Sequence, residues 1–208
     1  MEYADDTESI YDFLKYIRQF ETTYRFTTKP GGGFESDAEH SWSVAFACML
    51  LAGRLEHEFG VHLDQARMLN MALIHDLAEM IAGDTKPWDE KARIGKKERE
   101  QDAIVSIVKN LPKDMRENVL ALWEESEQCE TLEAKIVKSL DKLDPEIHRV
   151  THHIAWQEIM DETHATREAC DARHLPHHSF STTLTSLYET IRKEALEKGM
   201  LKAEKTSV

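Results

Sequence analysis

No apolar run in the 208-residue sequence approaches the roughly 20 residues that a membrane-spanning helix needs, so no membrane partner is expected. Residues 1–9 are acidic and lack the basic-then-apolar start of a secretory leader. Glycine and proline are scarce, at 8 and 5 residues, and β-branched alternation is scarcer still, so no convincing strand can be drawn. The three cysteines, Cys48, Cys129 and Cys170, show no paired spacing, which argues against a disulfide scaffold and for a reducing, cytoplasmic compartment. Positive charge is also short. Against 39 acidic residues there are 26 Lys and Arg, a net charge of −13. A field of that sign repels long nucleic acids. Any anionic ligand must therefore be held by local cations or a metal.

What remains reads as one all-α domain over 1–208, with a core at about 9–160 and a C-terminal helix at about 183–201. A first helix is expected at 9–20, then a loop through Lys29-Pro30-Gly31-Gly32-Gly33 to Phe34. Ser36 with Glu39 three residues on forms a capping box before a second helix reaching about residue 59. Asp64 caps a third helix running through Ala82 to a stop at Gly83. Helices follow at about 91–110 and 113–128. Thr131 caps another with the apolar stripe Ile136, Val137, Leu140 and Leu143, which Pro145 kinks or ends. Residues 148–158 read as helix and 161–179 as loop. Trp42, Trp123 and Trp156 are expected in the core.

Between Met71 and Ala82 every residue is apolar except His75, Asp76 and Glu79. Spacings of three and four put these side chains on one helical face. Burying two carboxyls and an imidazole costs several kcal/mol unless they are paired or bind a cation. A divalent metal solves this directly; a buried His–Asp hydrogen bond is the plainer alternative. His40, early in the second helix, and Asp141, on the apolar stripe of the sixth, are further candidates. Each read alone is better explained as, respectively, a partly exposed capping-region histidine and a surface carboxylate beside Lys138 and Lys142.

Together, His40, the adjacent pair His75-Asp76, and Asp141 resemble the HD-domain metal-dependent phosphohydrolases. Glu35-Ser36-Asp37-Ala38-Glu39-His40-Ser41, His75-Asp76-Leu77-Ala78-Glu79 with Gly83-Asp84, and Asp141-Lys142-Leu143-Asp144 narrow the resemblance to the 5′-deoxynucleotidase branch. The resemblance covers roughly residues 13–150. It implies a helical HD-domain bundle with additional C-terminal helices, and a homodimer. His40, His75, Asp76 and Asp141 would hold one divalent transition metal ion (Co, Mn, Fe, Ni or Zn). Arg25 would contact the phosphate of a small nucleotide substrate, and Glu79 and Asp84 would act beside the attacking water. Lys96 and Lys97 fall in the basic segment after Gly83-Asp84, and Phe26 stands where a bacterial relative has a tryptophan near the sugar. Lys86 is a further candidate phosphate contact, and Trp88 a candidate pocket wall. No histidine lies between Asp76 and Asp141, which favours a single metal over the two-metal HD proteins. Rival readings are hydrolysis of nucleoside triphosphates or another phosphate ester, and a non-catalytic nucleotide-binding protein. His148, His152, His153, His174, His177 and His178 invite a second metal site, but exposed or subunit-interface histidines are the plainer reading.

Overall fold

The computed structural model describes residues 6–29, 31–85, 89–152 and 167–200. Helix α1 (Thr7–Tyr16) runs into a 3₁₀ turn (Ile17–Thr22). A small antiparallel hairpin follows, β1 (Tyr24–Thr28) with β2 (Phe34–Ser36). Its presence corrects the strand-free expectation. Strands of five and three residues are too short for period-two patterning to register. The glycine run closes the turn: Gly31, Gly32 and Gly33 all have positive φ, and the Lys29 amide donates to the Gly33 carbonyl at 2.9 Å.

The remaining elements are helical. The capping box opens α2 (Asp37–Phe59): Ser36 Oγ accepts from the Glu39 amide at 3.2 Å, and the Glu39 carboxylate accepts from the Ser36 amide at 2.8 Å. Gly60 closes it in the left-handed conformation. Asp64 caps α3 (Gln65–Ile74), shorter than expected. Beyond Ile74 the backbone tightens: the amides of Leu77, Glu79, Met80 and Ile81 donate to carbonyls three residues back. Helix resumes only as α4 (Glu79–Ala82). The short α5 (Glu90–Arg93) leads to α6 (Lys96–Val108) and α7 (Lys113–Gln128).

Thr131 caps α8 (Leu132–Thr151), which continues through Pro145 rather than ending there. Proline denies the helix one hydrogen bond. Buried residues on both sides, Leu140 and Leu143 before it and Glu146 and Val150 after, hold the helix together. Residues 167–177 are not loop but α9 (Arg167–His174) and a 3₁₀ turn (Leu175–His177), followed by α10 (Thr182–Glu197). No described helix is long and apolar enough to cross a membrane.

Two apolar clusters flank the middle of the fold. One joins α2, α3, α8 and α10 through Val44, Cys48, Leu55, Met68, Met71, Ile136, Leu140 and Tyr188. The other joins the first 3₁₀ turn, α6 and α7 around Phe20, Leu77, Ile104, Val108 and Trp123. Trp123 is a core residue, as expected. Trp42 is not: it is 66% exposed on the outer face of α2. Trp156 lies outside the described residues.

Candidate metal centre

Three helices bring four side chains to one point. His40 comes from the first turn of α2, His75 and Asp76 from the end of α3, and Asp141 from the middle of α8. Each offers a nitrogen or oxygen within 4.8 Å of the others'. His40 is fully buried and Asp141 is 3% exposed, so neither is the surface residue it resembles when read alone.

Hydrogen bonding shows what these groups lack. His75 Nδ1 lies 2.9 Å from the Ala72 carbonyl, and His40 Nδ1 lies 2.8 Å from the Asp144 carboxylate. Both partners only accept, so each Nδ1 carries a proton and each Nε2 faces the centre, where it offers a lone pair whenever its ring is neutral. The two Nε2 atoms face each other at 3.3 Å, with Asp141 Oδ1 3.2 Å from His40 Nε2 and Asp76 Oδ2 3.3 Å from His75 Nε2. Lone pairs and carboxylates crowded together out of water repel unless a cation sits among them. Two neutral imidazoles and two carboxylates are the donor set of a divalent transition metal, and Asp144 and Ala72 fix the rings as second partners do in metal sites.

The electrostatics of the site point to the same deficit. Burial works against the charged form of His75, yet Asp76 and Asp141 outweigh it and lift the imidazole to about 10. His40 is also raised: burial and Arg25 oppose its charge, but Asp141, Asp144 and Asp76 prevail. Burial opposes the charge of Asp141 too, but Lys142 and Lys138, at 3.1 and 3.3 Å, hold it well below the ordinary carboxylate range. Without a metal, protons supply the positive charge these carboxylates demand.

A second group adjoins the first. Arg25, on β1, donates to Asp76 Oδ2, and Asp37 Oδ1 lies 3.9 Å from the same guanidinium nitrogen. Burial disfavours the Arg25 charge, but Asp76, Asp141, Glu79 and Asp84 more than compensate and raise its pKa. Asp37, Asp76 and Glu79 also offer oxygens within 4.8 Å of one another. Asp37 is fully buried, and burial, with Asp76 nearby, pushes its carboxyl up to about 7. Burial, then Asp76 and Asp84, push Glu79 well above the ordinary range. Asp84 is raised by burial against the pull of Arg25, and it accepts from the backbone amide of Phe26. Both Asp37 oxygens, Glu79 Oε2 and Arg25 Nε are buried with no hydrogen-bond partner. Such atoms aimed into one space are unusual in a merely structural cluster.

The structure thus places Arg25, His40, His75, Asp76, Glu79, Asp84 and Asp141 together, with one change. His75, Asp76 and Glu79 do not converge on a single point. The tightened backbone after Ile74 sends Glu79 to Asp37, and Asp76 is common to both groups. Lys96 is at the margin, 2.8 Å from Glu100 and 3.7 Å from Glu79. Lys97 is exposed, away from the cluster, and Phe26 is 44% exposed while its amide reaches Asp84. Lys86 and Trp88 lie outside the described residues. Asp37 was missed, because an acidic residue in the first turn of a helix is explained by the helix dipole alone.

The later histidines are not an exposed set. His178 is fully buried, its Nδ1 2.7 Å from Ser139 Oγ, and its ring lies 5.0 Å from that of Tyr188. His174 lies 3.6 Å from Glu146. His148 lies 3.4 Å from Glu35, and its ring meets that of His152 at 4.7 Å. Among the described residues none of these joins a group with metal-ligand spacing. His153 lies outside them.

Comparison with known proteins agrees with this geometry. The chain is 34% identical to the 5′-deoxynucleotidase HDDC2 of Bos taurus over 129 residues, 62% of this chain and 58% of that one. It is 32% identical to the 5′-deoxynucleotidase HDDC2 of Dictyostelium discoideum, over 62% of this chain and 73% of that one. The match therefore spans less than two thirds of the bovine protein's length. A solved structure described as a predicted metal-dependent phosphohydrolase from Magnetospirillum magnetotacticum MS-1 superposes with a TM-score of 0.81 at 31% identity, covering 94% of this chain and 95% of that one. The family model described as "HD domain" matches residues 17–178, most of the sequence and every ligand candidate. The chain belongs to the HD-domain family.

Proposed function

We propose that the protein is a metal-dependent phosphohydrolase that removes the 5′-phosphate from deoxynucleoside monophosphates, working as a homodimer in a reducing cytoplasm. The carrying observation is the convergence of His40, His75, Asp76 and Asp141 with Arg25 pressed against Asp76. One divalent transition metal ion (Co, Mn, Fe, Ni or Zn) fits these four side chains. When bound, such an ion makes water a stronger nucleophile and offsets the charge developing on phosphorus.

The chain's own residues supply the rest. Arg25 keeps its charge at any working pH and holds an unused Nε–H for a phosphate oxygen, a planar contact that lysine does not reproduce. Water attacks phosphorus, a new P–O bond forms, and the bond from phosphorus to the 5′ oxygen breaks. Burial, with Asp76 and Asp84 nearby, pushes the Glu79 carboxyl well above the ordinary range, which suits it to give a proton to the departing alkoxide. Asp84 is less buried, and its anion accepts from the Phe26 amide, so it takes the proton of the attacking water. Lys96 stands beside Glu79 to meet a second phosphate oxygen. No covalent enzyme intermediate is required.

The test is phosphate release from deoxynucleoside and ribonucleoside 5′-monophosphates and from triphosphates, across a metal series, with Asp76→Ala as control. Metal-dependent release confined to deoxy monophosphates, abolished by the substitution, is expected. Equal rates on both sugars would end the deoxy preference, and triphosphate release would end the monoester reading. Binding without turnover in every metal would make this a nucleotide-binding protein. Metal stoichiometry is part of the test. One ion per chain is expected; a second, held by Asp37, Asp76 and Glu79, would end the role of Glu79 as proton donor.

A further inference from the structure

The outer face of α2 is apolar where it should be polar. Trp42, Phe46, Met49 and Leu50 are 66%, 48%, 53% and 67% exposed. The Trp42 and Phe46 rings stack on each other at 5.6 Å, in the open. Positions 42, 46, 49 and 53 follow the alternating four-three-four spacing of a helix–helix seam, over about 16 Å. With side chains of this size covering roughly 150–250 Å² each when fully exposed, the four leave roughly 400–500 Å² of apolar surface. That matches the largest single patch a monomer typically keeps, roughly 300–600 Å², and such patches often mark interaction sites.

Gly53 is the second observation. It sits inside the helix at a cost of about 1 kcal/mol relative to alanine. Its backbone needs no positive φ, and a Cβ built there meets nothing within 4 Å. Nothing inside the described protein requires a glycine at this position. A surface approaching from outside would.

We propose that this face is the seam at which a second copy of the chain docks, α2 against α2, antiparallel about a two-fold axis lying between Phe46 and Met49. In that register Phe46 meets the partner's Met49, and the large Trp42 ring fills the hollow over the partner's Gly53. Each interacting pair occurs twice, as a two-fold contact demands. Antiparallel helices set opposite dipole ends together, and Glu39 at one end comes near the partner's Arg54 and His57. Two copies bury roughly 800–1,000 Å² through these four side chains alone, against about 1,200–2,000 Å² in specific dimers, so flanking residues of α2 must supply the remainder. The inference names the surface for the homodimer proposed above and is independent of the reaction.

The experiment is sedimentation equilibrium of the full chain and three variants, with thermal melting as a check on folding. The unaltered protein is expected at twice its 24.0 kDa mass. Trp42→Glu and Met49→Glu place charges in the seam and are expected to give folded monomers. Gly53→Leu is the discriminating variant. Its side chain enters open space in a single chain, so folding is kept, but it takes the room of the partner's Trp42 and weakens dimerisation by roughly tenfold or more. An unaltered protein that is monomeric overturns the proposal, as does a dimer that survives Trp42→Glu, or a dimer dissociation constant that Gly53→Leu leaves unchanged. Phosphate release is read separately. An active monomer overturns the seam alone, and an inactive dimer overturns the reaction alone.

Discussion

In the metal-free protein the positive charge demanded by Asp76 and Asp141 is carried by protons, and that fixes how metal affinity must depend on pH. Burial lowers the His75 pKa and the two carboxylates raise it, with a net value of about 10 against 6.5 for a free imidazole. The folded value lies above the unfolded one. The stabilising proton is therefore fully in place below about pH 6.5 and is lost as pH rises through about 10. Metal requires the bare nitrogen, so at pH 8 binding must expel a proton. The two Nε2 atoms lie 3.3 Å apart and share one space, so about one proton leaves per ion. Affinity should rise about tenfold per pH unit between pH 7 and 8.5. Metal at 100 times its dissociation constant should add about 2.7 kcal/mol, a rise of about 5–10 °C in melting temperature for a chain of this length. That rise should grow with pH as the metal-free form weakens. Calorimetric titration with Mn²⁺ or Co²⁺, in two buffers of different ionisation enthalpy, reads the proton directly. Affinity that stays flat across this interval, or binding with no proton released, would refute the reasoning.

Four other outcomes follow. Arg25→Ala should lower kcat/KM by a factor of ten to a few hundred, about 1.5–3 kcal/mol of lost charge-assisted hydrogen bonding, and Arg25→Lys should recover only part of it; steady-state kinetics decide. Glu146→Ala should destabilise the fold by about 3–5 kcal/mol in urea unfolding, because buried Glu146 pairs with both Arg149 and the fully buried Arg192. Burial, then Arg149, depresses His174 to about 3, and burial, then His177, depresses His178 to about 4. Their contribution is intact above pH 6.5 and lost as pH falls from there toward 4, at up to about 1.4 kcal/mol per pH unit each; melting across that interval should show it, and His178→Gln should flatten it. Cys129 caps α7 with φ 53°, a left-handed conformation that suits glycine, so Cys129→Gly should raise the urea midpoint by the equivalent of about 0.5–1 kcal/mol.

Local chemistry was legible in the sequence because its partners are neighbours. The Ser36–Glu39 capping box and the caps at Asp64 and Thr131 act over three residues, and all three are where the pattern puts them. The four ligand candidates were legible only as a set. Each alone has an ordinary explanation, and their common position depends on pairings as distant as the 101 residues between His40 and Asp141. Packing decided the rest. It carried α8 through Pro145, buried His178 against Ser139, and turned Asp37 inward toward Arg25. It also left Trp42 facing out, though tryptophan is as apolar as the residues beneath it. A sequence states what each side chain can bond to within a turn or two. Which of several equally apolar or equally acidic side chains faces the interior is settled only when α2, α3 and α8 pack together, since burial is a property of the assembled helices and not of the residue.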